Sequence, residues 1–282
     1  MRSFLLLYEE SRDEAQRVNR IVGSFAFIEK IYGSTKGISA LYVRRVIEPA
    51  IAQDRIFVYK SEDGIPHGYA IVAYLSPRVT AKLRHSNDIY KLHRSDWTEG
   101  PDTYLIRMVG KSTLGPGAFS GLPQHFKRLV PITHVYRTLP SAIYCPPDMF
   151  LQSLGAILRL RAICPTLQSL SIADAYEVSM AAYQSHGLGV YSNEDGESVA
   201  YFILIDLDKC ESAAIRVRIR EIFGKMEHID ASAVVVIEVC APYGSFTQLI
   251  AKLKLAIKGR DFYIRSRTGH IRRRKASFCP QK

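Results

Sequence analysis

Long apolar runs are missing from this sequence: no uninterrupted apolar stretch reaches the roughly 20 residues that a membrane-spanning helix needs. The first residues hold only the short apolar run Phe4 to Leu7 before Glu9, Glu10, Asp13 and Glu14, which is too short for a secretory signal core and carries the wrong charges after it. Cysteine is scarce. Cys145, Cys164, Cys210, Cys240 and Cys279 are odd in number, scattered, and form no Cys-x-x-Cys pair, which argues against a disulfide framework and against a zinc site. Together these absences predict a cytoplasmic protein with reduced thiols.

Several catalytic signatures are also lacking. Gly115-Pro116-Gly117 precedes a helical stretch, but no Gly-Lys-Ser/Thr follows it, so it reads as a turn rather than a phosphate loop. There is no Gly-x-Ser-x-Gly elbow, and no cysteine stands beside an evident activating base. The eight histidines include no pair at metal-ligand spacing, so no metal and no cofactor is expected. Only His125 and His134 merit testing; His186, at a helix end before a strand, reads as an ordinary cap.

What is present is an ordinary globular composition with a strong charge excess. Of 282 residues, 47% are hydrophobic and 23% charged, enough for a sizeable core. The net charge of +11 favours acidic partners, of which an acidic carrier protein, another acidic protein and nucleic acid each fit. The excess is concentrated near the C-terminal end, where Arg265, Arg267, Arg272, Arg273, Arg274 and Lys275 form a candidate partner-binding cluster; the bland alternative is a solvated basic tail.

The dominant feature is a repeat. Val58-Tyr59-Lys60-Ser61-Glu62-Asp63-Gly64 aligns with Val190-Tyr191-Ser192-Asn193-Glu194-Asp195-Gly196, five of seven positions identical, each residue 132 positions after its counterpart. The same offset pairs Gly23 with Gly155, Tyr69 with Tyr201, Ile71 with Ile203 and Leu75 with Leu207, so residues 23 to 75 and 155 to 207 match without a gap. In each copy an apolar, β-branched and aromatic run meets an Asp-Gly turn and then a second apolar run, the pattern of a β-hairpin. Two stretches with helical spacing precede each hairpin, at 13 to 32 and 38 to 52, and at 148 to 163 and 172 to 184. After it, both copies predict helix, strand, helix, strand: 78 to 92, 103 to 110, 117 to 130 and 132 to 138, then 210 to 225, 231 to 239, 244 to 258 and 260 to 266. The expected fold class is α/β, two tandem units of residues 1–145 and 146–282, joined where Pro140, Pro146 and Pro147 cluster. The two units are expected to pair as an intramolecular pseudo-dimer.

Particular motifs carry a family resemblance. Glu48-Pro49-Ala50-Ile51, the first hairpin and Asp96-Trp97-Thr98-Glu99-Gly100 are followed by the strand Tyr104 to Val109; the second copy has Leu154-Gly155, its hairpin, and Glu238-Val239-Cys240-Ala241-Pro242-Tyr243-Gly244. In this order they resemble the RTX toxin-activating lysine acyltransferases, relatives of the GNAT fold that move a fatty acyl chain from acyl carrier protein to a protein lysine. The resemblance implies a GNAT-like fold and acyl carrier protein as a partner. It also implies a histidine on the turn between the first two helices, taking a proton from the acceptor lysine, and an aspartate near the end of the strand before the Ala-Pro box.

The chain departs from that pattern at both places. The histidine position falls on Thr35 and Leu167, and the aspartate position on Arg107 and Glu238. A general base contributes on the order of 10² to 10⁴ in rate, and neither Thr35 nor Leu167 titrates near neutral pH. Glu238, ending an apolar strand, is the candidate functional acid, or else a salt-bridge partner. Asp96, Trp97, Gly100, Ala241, Pro242 and Gly244 read as scaffold. Two functions follow as expectations: a non-catalytic binding or regulatory descendant, or an active acyltransferase with another base.

Overall fold

The computed structural model describes residues 2–33, 38–86, 92–111, 127–128, 146–210, 215–217, 219, 233–244, 246–257, 260–265 and 271–274. The chain is a mixed α/β protein with two sheets. Contacts divide it into two compact units, Gln16–Ala173 and Met1–Ala15 with Asp174–Lys282.

In the unit Gln16–Ala173, the helix α1 (Arg2–Tyr32) brings in Val22, Phe25, Ala26, Ile28, Glu29 and Tyr32, all buried and recurring at helical spacing. Gly33 closes it, donating its amide to the Glu29 carbonyl at 2.9 Å. The next helical stretch is broken into α2 (Ala40–Tyr42), a π-helical turn (Val43–Ile47) and α3 (Glu48–Ala52). Pro49 accounts for the break: it has no N–H for the Arg45 carbonyl and its ring crowds that carbonyl, so the turn before it widens and the Glu48 amide reaches back to the Val43 carbonyl. The first sheet runs β1 (Ile56–Lys60), β2 (Pro66–Leu75), β3 (Asp102–Gly110), β4 (Lys127–Arg128), with β1–β2–β3 antiparallel and β4 parallel to β3. Helix α4 (Pro77–Ser86) follows β2.

Helix α5 (Asp148–Ile163) packs on α1 within this unit. The two helices meet at glycines. A Cβ on Gly23 would stand 1.9 Å from the Leu151 carbonyl oxygen, and one on Gly155 would stand 1.8 Å from that of Asn19. The 132-residue offset exchanges the two contacts, turning 23 with 151 into 155 with 19. The same reciprocity holds at Ser39 and Ser171, which form a bridge flanked by Ala40 N–H to Leu170 C=O at 3.0 Å and Ile172 N–H to Ile38 C=O at 2.7 Å. This packing places α5 in the same compact unit as α1, which extends to Ala173.

In the other unit, helix α6 (Ile172–Gln184) leads into β5 (Leu188–Ser192), β6 (Ser198–Asp206), β7 (Val234–Cys240), β8 (Phe262–Arg265) and β9 (Ile271–Arg274), adjacent in that order. The β5–β6–β7 pairs are antiparallel and β7–β8 parallel, as in the first sheet. Helix α7 (Phe246–Ile257) sets Leu249, Leu253 and Ile257 against Phe202, Leu204, Val234 and Val236. Both hairpins have a register shift at the same place, Tyr59/Lys60 and Tyr191/Ser192, and both inner strand pairs shift again at Ile71/Val72 and Ile203/Leu204. Gly64 and Gly196 take φ of 77° and 79°, where a side chain is disfavoured.

One expectation needs correction here. Lys127–Arg128, expected inside a helix, form a short strand, because hydrogen bonding to Tyr104 and Leu105 outweighs local helical spacing. Residues 271–274, within the basic cluster and given no element from the sequence, form strand β9, antiparallel to β8 over Phe262–Arg265. The expected strand at 132–138 and most of the helix at 210–225 lie outside the described residues. Among the described residues no helix is long and apolar enough to cross a membrane.

Candidate active site

Spacing on α1 sets Phe25, Glu29 and Tyr32 along one face, and alternation on β2 sets His67 and Tyr69 on one side of the first sheet. Glu29 is buried, with only 6% of its side chain exposed. Its carboxylate accepts from Arg107 through Nε at 2.8 Å and Nη2 at 3.0 Å, and from the Tyr69 hydroxyl in a short hydrogen bond; Arg107 Nε also lies 2.7 Å from that hydroxyl. Tyr69 is fully enclosed and packs edge-on against Phe25, ring centroids 5.0 Å apart. Burial, reinforced by the Glu29 charge, pushes the Tyr69 phenol well above its ordinary value, so it stays a neutral donor at physiological pH. Burial alone would lower Arg107, but the oxygens of Tyr69 and Glu29 outweigh it and hold the guanidinium above its ordinary value. The cluster is a closed, charge-neutral network in which every strong acceptor is occupied.

Beside it, the Tyr32 hydroxyl lies 2.9 Å from Nδ1 of His67. Burial and the nearby Lys111 charge lower the His67 pKa, leaving a neutral imidazole near pH 7. Tyr32 is the last residue of α1, three positions before Thr35, which itself lies outside the described residues. Sequence reading passed over His67 because its partner is 35 residues away.

In the second sheet Glu238 pairs across from Ile203, as Arg107 does from Ile71, so Arg107 and Glu238 hold the same register position. Glu238 is half-buried and accepts a short hydrogen bond from Tyr201, the counterpart of Tyr69. The residue 132 positions after Glu29 is Arg161, so the two copies carry opposite charges at both places: Glu29 with Arg107, Arg161 with Glu238. That reversal was visible in the sequence as a signal. Leu167 sits half-buried in the turn after α5, its amide donating to the Cys164 carbonyl at 3.0 Å.

Asp96 caps the 3₁₀ turn Arg94–Trp97, accepting from the His93 amide at 2.8 Å. Trp97 is fully buried, and Gly100 lies so close to the Leu75 backbone that a Cβ would stand 1.8 Å from it. Ala241, Pro242 and Gly244 form the turn into α7, with Gly244 at φ of 84°. Of the basic cluster, Arg273 forks onto Asp261 through Nε at 3.1 Å and Nη2 at 2.7 Å; Arg265, Arg272 and Arg274 belong to the β8–β9 ladder, while Arg267 and Lys275 lie outside the described residues. His125 and His134 also lie outside them. Among the described residues no group of three or more His, Cys, Asp or Glu side chains is placed to hold a metal ion.

With the geometry of α1 to β3 in place, comparison with known families finds a similarity over part of the chain. Residues 14–116 match the model of the RTX toxin acyltransferase family. The acyltransferase match takes in Glu29, His67, Tyr69, Arg107 and the Asp96-to-Gly100 box, and ends well before Glu238. No curated protein and no solved structure matches the chain.

Proposed function

We propose that this chain is a tandem descendant of the toxin acyltransferases that works as a binding or regulatory protein, holding an acidic partner, acyl carrier protein foremost, without transferring an acyl group. The observation that carries this reading is Arg107. At the strand position where the resemblance places the family's aspartate, the chain carries a guanidinium whose Nε and Nη2 donate to Glu29, with Nε also against the Tyr69 hydroxyl. A group so occupied neither assists a base nor accepts a proton. Each copy, 1–145 and 146–282, is on this reading one family-type unit in a cytoplasmic pseudo-dimer; the reciprocal contacts at Gly23, Gly155, Ser39 and Ser171 support that arrangement.

Incubation with labelled acyl carrier protein, assayed separately for a complex and for acyl transfer to lysine, tests the proposal. A salt-sensitive complex with no transferred label is expected. Transfer unchanged in Arg107→Ala would overturn it. A nucleic-acid partner is the outcome if an oligonucleotide competes with the carrier protein for the β8–β9 basic ladder.

One observation favours the second reading, an active acyltransferase. The neutral His67 imidazole beside Tyr32 has the chemistry of a general base. On this reading, transfer occurs and disappears in His67→Gln, with Glu238→Gln separating any role of the second copy.

A further inference from the structure

The broken helix α2–α3 has a consequence on its outer side. The widened turn at Val43–Ile47 leaves two consecutive residues, Arg44 and Arg45, exposed to solvent. Opposite them the 3₁₀ turn begins with His93 and Arg94, both exposed. Between lies a cleft of about 540 Å³ lined by Arg44, Arg45, Glu48, Pro49, Leu92, His93 and Arg94. Its size is that of a small-ligand site. Arg44, Arg45 and Arg94 make no ion pair with any described residue. The single carboxylate of the lining, Glu48, is bonded instead to Arg159, Nε to Oε1 at 2.8 Å, and Arg159 is steadied by Asn19 at 2.9 Å. Among the described residues, the cleft therefore faces its contents with three guanidinium groups that no carboxylate neutralises. His93 adds an imidazole to the lining, its Nδ1 lying 3.0 Å from the Ser95 hydroxyl and 3.4 Å from the Ser95 amide.

The second copy provides an internal contrast. Positions 132 residues after Arg44, Arg45 and Pro49 hold Tyr176, Glu177 and Ala181, and helix α6 runs unbroken through them. Without the proline there is no widened turn, and without the arginines no concentration of charge. The arginine pair and the proline on this side of the cleft belong to the first copy alone, so their charge is not a by-product of the shared architecture.

We propose that this cleft binds the phosphate of a small phosphomonoester, with Arg44, Arg45 and Arg94 on its oxygens and the adjoining organic part against Leu92 and Pro49. Several guanidinium groups converging from two elements suit one terminal dianion, whose oxygens accept paired N–H bonds. A nucleic-acid strand would call for an extended basic track with stacking aromatics, and the lining contains none. This site is independent of the acyl-carrier reading, and either can fail without the other.

Calorimetric titration of the full chain with pyrophosphate, AMP and hexyl phosphate tests it, adenosine and hexanol serving as phosphate-free controls. Saturable binding of a phosphate compound is expected, weakened about tenfold or more in Arg44→Ala/Arg45→Ala and in Arg94→Ala, with Lys209→Ala unchanged and thermal melts verifying the fold of each variant. AMP binding more tightly than hexyl phosphate assigns a nucleotide; the reverse assigns an alkyl ester. No saturation by any of the three, equal affinity in the arginine variants, or adenosine binding as well as AMP would overturn the proposal. So would an oligonucleotide that binds the arginine variants and the native chain alike while displacing AMP.

Discussion

At the scale of single residues, one buried cluster shows how a charge is held inside the fold. Arg107, Glu29 and Tyr69 satisfy one another so fully that removing one member leaves the others stranded. Arg107→Ala leaves the Glu29 carboxylate buried without its cation and should destabilise the fold by about 3–5 kcal/mol in denaturant titration. Replacing both, as Glu29→Leu with Arg107→Met, should recover most of that loss, because similar volume then fills the site with no charge to desolvate. A double variant no more stable than Arg107→Ala would show that the network serves more than charge compensation.

His67 makes a second residue-scale prediction. Its folded-state pKa lies below the unfolded value near ~6.5, so the unfolded chain binds the proton more readily. The contribution to stability is complete above the unfolded pKa and is lost as pH falls through the folded one. Melting temperature should therefore decline on acidification below neutrality, and His67→Gln should flatten that part of the profile relative to the native chain.

At the scale of elements, two kinds of glycine can be told apart. Gly23 and Gly155 sit in helices at a close crossing, where a methyl group meets a backbone carbonyl that cannot yield. Gly23→Ala or Gly155→Ala should destabilise by about 1–3 kcal/mol through overpacking. Gly64, by contrast, has open space where a Cβ would go and is constrained only by its positive φ. Gly64→Ala should therefore cost about 1–2 kcal/mol, from backbone strain alone; Gly64→Asn, tolerant of that conformation, should restore part of it, whereas Asn at Gly23 should be worse than Ala. Chemical denaturation of the five variants distinguishes the two causes.

The same scale shows what was legible beforehand. The hairpins, with their Asp-Gly turns, and the helices preceding them were readable because apolar periodicity and turn chemistry are local signals. Helix α6 and helix α5 emerge with the expected bounds. Strand β4 and strand β9 were not readable, since both consist largely of basic residues and exist only because a neighbouring strand offers a ladder. The break in the second helix needed Pro49 to be weighed against its i−4 carbonyl rather than against periodicity.

At the scale of the whole molecule, contacts exchanged by the 132-residue offset predict, on the proposed internal pairing, that a single chain needs no second copy. Light scattering after size exclusion should give the mass of a single chain, 31.8 kDa, across micromolar concentrations. A concentration-dependent dimer would argue against an internal pair. The net charge of +11 adds an expectation for binding: the complex with an acidic carrier protein should form faster at low salt and weaken steadily as salt rises.

The repeat, the hairpins and the charge excess were determined by the sequence alone, because each is a matter of which residue stands where along the chain. Tertiary structure alone decided that Arg107 is tied to a glutamate 78 residues earlier, that His67 meets Tyr32, and that glycines of the two copies let α1 and α5 touch. Those are contacts between residues far apart in sequence, and the burial that makes them strong does not exist until the chain has folded.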